Sequence, residues 1–477
     1  MQGSKVGVKK GYFSKLSALP LYIGLLIHNK TRQKDLVDTL FHKGLSVSYK
    51  RVLQFTTALA NKEIQRYEQE EVVCPSQLRK KLFTTGCLDN IDHNPSSTSS
   101  HDSFHGTGIS VTQHITSDNQ GVINEFQEVP DDPISSSKMK ALPHSFAHVP
   151  PVAVLKDIVP PRYHLSQNLF KEQSEANDGK AQEWLEKVNA ILSNHQMLQT
   201  DISWSAFFAS QQKFTPKPPA ITSLLPLFRD AAHTPAMVKH GMDLIKAITH
   251  SMNPGQTPVL TVDQPLYAIA KKIQWKWPGV YGEKKFVVMM GGLHIEMAVL
   301  KVLGEWMNKS GWTYLLAAAD VTTEARAENL LQGSHVSRCQ WAHQVTAAAL
   351  FKLMCSSYEE YKGCGPDQSL NFPEWCSEGV TNYPQFSYWY KTFQLELLFL
   401  SFLRAQREQN YQDYVVSLMN IVPWMFALDH FHYSRWMAVH LMDLLSLSEN
   451  CKEVHEEFIR GNFVTQKNYQ EILSYGT

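Results

Sequence analysis

Three aspartates have the setting that two-metal phosphodiester chemistry needs. Asp89 and Asp92 follow the short apolar run Leu82 to Cys87, and Asp263 follows the apolar run Val259 to Val262. Carboxylates at the ends of neighbouring strands could converge on Mg²⁺, a hard cation that prefers oxygen ligands. Two such ions can activate an attacking oxygen and stabilise a leaving one. A plainer role is open to each: Asp263 precedes Pro265 and a helix, so it could be an N-cap, and Asp89, Asn90 and Asp92 could form Asx turns before Pro95.

Other chemical groups stand farther along the chain. Gly291 and Gly292 end a second buried run and precede His294 and Glu296, where an imidazole could orient a carboxylate or meet a phosphate. His335, Cys339 and His343 recur every four residues on one helical face but lack a fourth ligand, so zinc is not expected. The segment LDHFHYSRWMAVHLMDL brings Asp429, His430, His432, Arg435, His440 and Asp443 onto an apolar stripe. Its polar face could close an acidic pocket, or its histidines could be buried helix residues with structural hydrogen bonds.

These groups need elements to hold them. Thr234 and Pro235 start a helix whose stripe is Val238, Met242, Ile245, Ile248 and Met252; a strand at Val259 to Val262 follows. Leu266, Ile269, Ala270, Ile273 and Trp277 form a second stripe. Phe286 to Met290 reads as a buried strand, and Leu293 to Met307 as a third helix. Alternation of helix and strand is α/β sequence. Upstream, Leu82 to Leu88 and Ser103 to Ile115 are strand candidates and Gly121 to Val129 a weaker one, while Pro130 to Pro161, with seven prolines, reads as an exposed connection. Beyond Asn308 the chain is almost wholly helical.

Net charge is zero, which gives no global argument for nucleic acid or membrane, but residues 1 to 80 hold fourteen Lys or Arg against six Asp or Glu. Within them, Thr31 to Glu71 has the spacing of helix, tight turn, helix, with Ser46 or Ser48 as the second cap. Lys43, Lys50 and Arg51 lie around the turn, where a DNA-binding hairpin wants cations near phosphates; an ordinary helical hairpin has the same pattern. The seven scattered cysteines, without a CxxC pair, read as reduced thiols, and no apolar run is long enough to cross a bilayer. A nuclear or cytosolic, soluble protein is expected.

The motifs DNIDHNPSS, TVDQ, GGLHIEM and HYSRW together resemble a multicopy, transposon-associated family of repeat-rich animal genomes, over about Leu19 to Gln466. That family is similar to RNase-H-like DDE transposases, whose two strand-end aspartates and a later helix-borne acid bind two metal ions. The resemblance implies that Asp89 or Asp92 is the first acid, Asp263 the second and His294 a neighbouring histidine, with Glu296 behind it and Mg²⁺ as cofactor. It also implies a third acid in a D-Q-x-H-E-Q-N segment past FVTQK, where this chain instead reads NYQEILSYGT. Asp429, Asp443 and Glu396 are the remaining candidates for that place.

The expectation is an α/β protein with an RNase-H-like mixed sheet built from residues 81–130 and 231–308. A basic module at 1–80, a linker and helical insertion at 131–230, and a helical region at 309–477 complete it. DNA is the expected partner, with protein partners at the helical region, and loss of metal-dependent cleavage is expected for want of the third acid. The runner-up is a non-enzymatic interaction scaffold on the same architecture. Under the first reading, the strands before Asp89 and Asp263 must be neighbours.

Overall fold

The apolar run after Lys81 does not stop at the acids. In the computed structural model, which describes residues 18–93, 104–123, 138–153, 155–156, 158–161, 178–193, 203–211, 218–364 and 369–465, Phe83–His93 is one 11-residue strand, β1. Leu82, Thr84 and Leu88 are buried, while Cys87 and Asp89 are open on the other face, as the two-residue period of a strand requires. Sequence reading ended this strand at Leu88. It continues because the backbone ladder with β2 (Phe104–His114) runs antiparallel from Phe83↔His114 to His93↔Phe104, and polar side chains can be carried on the open face.

The third strand lies where a linker and insertion were expected. Ile221–Leu224, β3, pairs antiparallel with β2, and Thr222 meets Thr112 across the pair at 3.1 Å between hydroxyl oxygens. Of the weaker candidate Gly121 to Val129, the described part contributes a single bridge, Val122 with Lys80; residues 124–129 lie outside the described residues.

The next stretch follows its periodicity closely. The helix Pro235–Met252 starts on Thr234, whose hydroxyl accepts from the Met237 N–H. Strand β4 is Val259–Val262, the following helix Gln264–Lys276, strand β5 Val287–Met290 and the helix after it Gly292–Met307. Strand β4 pairs parallel with both β1 and β5, giving a five-stranded mixed sheet in the order β3-β2-β1-β4-β5. All four residues of β5 are buried, the mark of a strand covered on both faces.

One face of the sheet is covered by the Pro235–Met252 helix at unusually short range. A Cβ on Gly241 would stand 2.3 Å from Leu88 Cδ1, and one on Gly86 2.3 Å from Ile245 Cδ1, so each element presents a glycine to the other's side chain. Beyond Asn308 the chain is helical, as expected, with Pro384–Arg407 packed against Val336–Gly363, Phe372–Asn382, Tyr411–Ala427 and Gly292–Met307. No helix among the described residues is long and apolar enough to cross a membrane, and all seven cysteines are unpaired.

The chain divides into two compact units, Met1–Ser76 with Asn124–His148, and Gln77–Ile123 with Val149–Thr477. Its described residues contain the helices Ala18–Thr31, Lys34–His42 and Tyr49–Glu70 and the short helix His144–Ala147 in the first unit. Ser48 caps the third by accepting from the Arg51 N–H, and Asp38 accepts from the Tyr49 N–H at 3.0 Å. Asn61, nearly buried, donates to the Lys138 carbonyl at 3.0 Å and accepts from the Lys140 N–H at 2.7 Å, so the later segment is sewn to the third helix. The second unit contains the sheet and everything that follows it.

Close approach at Gly86 sets a stability test. Gly86→Val is expected to lower the unfolding free energy by about 1–3 kcal/mol through overpacking. Combined with Ile245→Ala, the losses should fall short of additivity by about 1 kcal/mol or more. Urea unfolding of the two single variants and the double variant measures this, and strict additivity would refute the contact.

Candidate functional site

Strand β1 positions Asp89 and strand β4 delivers Asp263. The parallel register places Gly86 beside Leu260 and Cys87 beside Thr261, so two residues farther along both chains Asp89 comes level with Asp263. On the other side of β1, Asp89 is opposite Gly108, which brings no side chain to shield it. Asp263 also caps the Gln264–Lys276 helix, one of its oxygens accepting from the Leu266 N–H at 3.0 Å. The N-cap role and the paired-acid role therefore coexist in one residue.

His294 completes the cluster. The turn after β5 is tied to β4 by the Gly291 N–H donating to the Val262 carbonyl at 2.8 Å. Its Cδ2 lies 3.3 Å from where a Gly291 Cβ would be. Burial pushes the Asp263 carboxyl above its ordinary pKa, the Leu266 N–H and then His294 pull it down, and the Asp89 charge pushes it up again. Asp92 is also on β1, but its side chain lies outside the described residues.

Tyr433 belongs here, and sequence reading missed it. Its hydroxyl donates to the His294 carbonyl at 3.2 Å, and burial, with Asp263 adding to it, pushes its pKa up to about 12. The only signal was its place in the HYSRW motif, where phenol chemistry had no spacing to announce it.

The other candidates are elsewhere. Glu296 is not beside the acids; it is buried on another side of its helix, accepting from Gln340 at 2.5 Å, and burial raises its pKa. Asp443 is bound to Lys271 and accepts from the Tyr267 hydroxyl at 2.8 Å. Glu396 is fully buried against His343 at 3.0 Å, and Asp429 is exposed at a left-handed turn with φ of 54°. His440 is buried and held neutral, burial and then the Lys271 charge pushing its pKa down to about 3. The LDHFHYSRWMAVHLMDL segment thus forms no single acidic pocket. His335 and Cys339 likewise do not join His343, whose ring is committed to Glu396. Among the described residues no three His, Cys, Asp or Glu side chains gather as a metal-holding set. The basic residues Lys43 and Lys50 are exposed around the turn between the second and third helices, with Arg51 half-buried in the first turn of the third.

Behind Asp89 and Asp263, on the same face, opens a cavity of about 910 Å³. Its floor includes Thr85, Cys87, Thr112 and Thr261, and its far wall includes Arg404 and Arg407 from the end of the Pro384–Arg407 helix. Cys87 and Arg407 are solvent-exposed on it, with protein packed around their other sides. Desolvation therefore pushes the Cys87 thiol up to about 11, with Asp89 adding to it, and pulls the Arg407 guanidinium down.

Residues 203–371 and 367–474 match DUF8702, a domain of unknown function. The chain belongs to the DUF8702 family. No curated protein and no solved structure matches it. The DUF8702 segments carry β3, β4 and β5 with Asp263, His294, Arg407 and Tyr433, whereas Asp89 comes from β1, upstream of them. The domain's sheet is therefore completed by strands outside the matched segments.

The Asp89 charge raises the Asp263 carboxyl, but with His294 the two carboxylates do not gather as a set that holds one divalent cation among the described residues, and still less as one that holds two. Asp263→Asn keeps a good helix cap while deleting the desolvated charge. A carboxyl raised in the folded state weakens folding as pH rises through the carboxylate range, because the unfolded chain ionises more readily. Asp263→Asn should therefore be at least as stable as the parent at neutral pH, the difference vanishing toward strongly acidic pH. Asp263→Ala should be less stable than Asp263→Asn by about 1 kcal/mol from loss of the cap. Thermal unfolding across pH checks both, and a destabilised Asn variant would count against the strained-acid account.

Proposed function

We propose that this chain is a transposon-derived, nucleic-acid-binding protein with an RNase-H-like core whose two-metal site is incomplete. One observation carries this: a mixed sheet in the order β3-β2-β1-β4-β5 aligns Asp89 and Asp263 on adjacent parallel strands, with His294 at the next strand-to-helix turn. A mixed sheet in which the strands before Asp89 and Asp263 are neighbours is what the resemblance calls for, and this pairing supports the reading. Asp89, Asp263 and His294 stand where the resemblance calls for the residues of its metal site, although among the described residues they do not gather as a metal-holding set. The candidates for the third acid are engaged elsewhere, Asp443 with Lys271 and Glu396 with His343, and Asp429 is exposed at a turn, so turnover is expected to be lost even where DNA is bound. Lys43, Lys50 and Arg51 are the proposed phosphate contacts of the N-terminal unit.

A scaffold reading has one observation in its favour. An apolar trough of about 880 Å³ runs between Trp312, Leu316, Leu350, Met354, Phe386 and Trp389, with Leu315, Leu353 and Tyr383 exposed beside it. Such a surface suits a protein partner.

The full-length chain separates the two. Duplex DNA binding that weakens steeply with salt is expected, and replacing Lys43, Lys50 and Arg51 together by Ala should lower the log–log salt slope by about 2–3. No binding even at low salt would sink the nucleic-acid reading and leave the scaffold. With Mg²⁺ or Mn²⁺ no nicking is expected; robust nicking that disappears in Asp263→Asn would overturn the incomplete-site part.

A further inference from the structure

Arg407 is the one cavity-wall cation whose charge the surrounding protein leaves unanswered. Its neighbour Arg404 is compensated internally, with Glu408 at 3.0 Å, Asp413 at 4.0 Å and the Phe208 ring under its guanidinium at 4.4 Å. Arg407 instead donates to the Ser205 hydroxyl and, at 3.2 Å, to the Gln340 side-chain oxygen, both neutral. Among the described residues no carboxylate pairs with it. Glu296 acts on it only at a distance, through Gln340, and is itself pushed by burial toward its neutral form.

A solvent-exposed guanidinium held in place by neutral groups leaves its charge free to meet an anion in the cavity. The planar fork of Arg suits phosphate oxygens in particular. The place is built as well as charged. Gln406, next to Arg407, fills the space over Gly292, where an added Cβ would lie 1.9 Å from its Oε1. The helix that opens there has no side-chain cap on Gly291, and Gly292 and Leu293 line the same cavity. Threonine hydroxyls cover part of the floor. The volume, about 910 Å³, is in the range of small-ligand pockets and exceeds what a bare phosphate would fill. An apolar ligand would cover Arg407 and leave it unpaired, and a metal cation would be repelled by it.

We propose that this cavity seats one nucleotide unit, its phosphate on Arg407 and the remainder over the threonine floor of the sheet beside Asp89 and Asp263. The choice of a nucleotide over other phosphate-bearing ligands rests on the nucleic-acid reading above; the anion site itself does not. A strand-borne nucleotide and a free one share this chemistry.

Calorimetry on the full-length chain, in phosphate-free buffer, distinguishes them. The probes are thymidine monophosphate, thymidine and a single-stranded thymidine tetranucleotide. The monophosphate and the tetranucleotide should bind, thymidine should bind at least about 10-fold more weakly, and Arg407→Gln should weaken both phosphate-bearing probes roughly 10- to 100-fold. Arg407→Gln should also melt no lower than the parent, which separates lost binding from lost fold, and Arg407→Lys should recover part of the affinity. Binding of the tetranucleotide alone supports a strand-borne unit. Equal binding by parent and Arg407→Gln, or no binding of either phosphate-bearing probe, overturns the proposal. If duplex binding fails while monophosphate binding depends on Arg407, the nucleic-acid reading falls and the cavity stands as a free-nucleotide site. If duplex binding holds and Arg407→Gln changes none of the affinities, the cavity proposal falls alone.

Discussion

The parallel pairing of β1 with β4 is the constraint on which the second unit turns. Strand β1 has an antiparallel partner on one side and a parallel one on the other, and a parallel neighbour cannot be reached by a tight turn. The chain must therefore leave the sheet, cross over through the Pro235–Met252 helix, and return. The glycines at positions 86 and 241 let that helix lie close enough to bury Leu88 and Ile109 completely. Once it is seated, the register is fixed, since a one-residue slip would turn Leu88 out and Asp89 into the core. The alignment of the two aspartates is thus a by-product of burying the strand's apolar face.

How much of this could be read from the chain depended on the kind of signal each part leaves. From Thr234 to Met307 three helices and two strands were legible because caps, stripes and stop residues agreed. Strand β3 was not: it has four residues, sits at an edge and follows a proline-rich stretch, so it has neither length nor alternation to declare itself. The helix Ala18–Thr31 is apolar all round and offered no stripe. At the site, Asp263 was legible twice over, as cap and as acid, and both roles hold. Glu296 was misplaced because two residues along a helix turn a side chain to another face. Tyr433 and Arg407 come from helices more than a hundred residues downstream, and only tertiary packing brings them to the sheet.

Buried charge holds the helical region in place. Lys271, 1% exposed, bridges Glu283 at 3.0 Å and Asp443 at 3.0 Å, joining the helix after β4 to Phe431–Leu445. A pair so deep adds little net stability over an apolar contact, but loss of one partner would strand a charge. Its value is positional. It anchors the helix whose first turn carries Tyr433, and so the phenol stays against the His294 carbonyl.

The contact of Asn61 with Lys138 and Lys140 has a consequence for how the chain is made. The N-terminal unit is not finished when its first three helices leave the ribosome, because the segment that binds Asn61 lies beyond the β1–β2 hairpin in the order of synthesis. Vectorial folding must therefore leave the Asn61 side chain without these two bonds while the first two strands of the second unit emerge. A fragment cut after residue 80 would lack both bonds permanently, so the basic module is a unit in space without being a unit in translation.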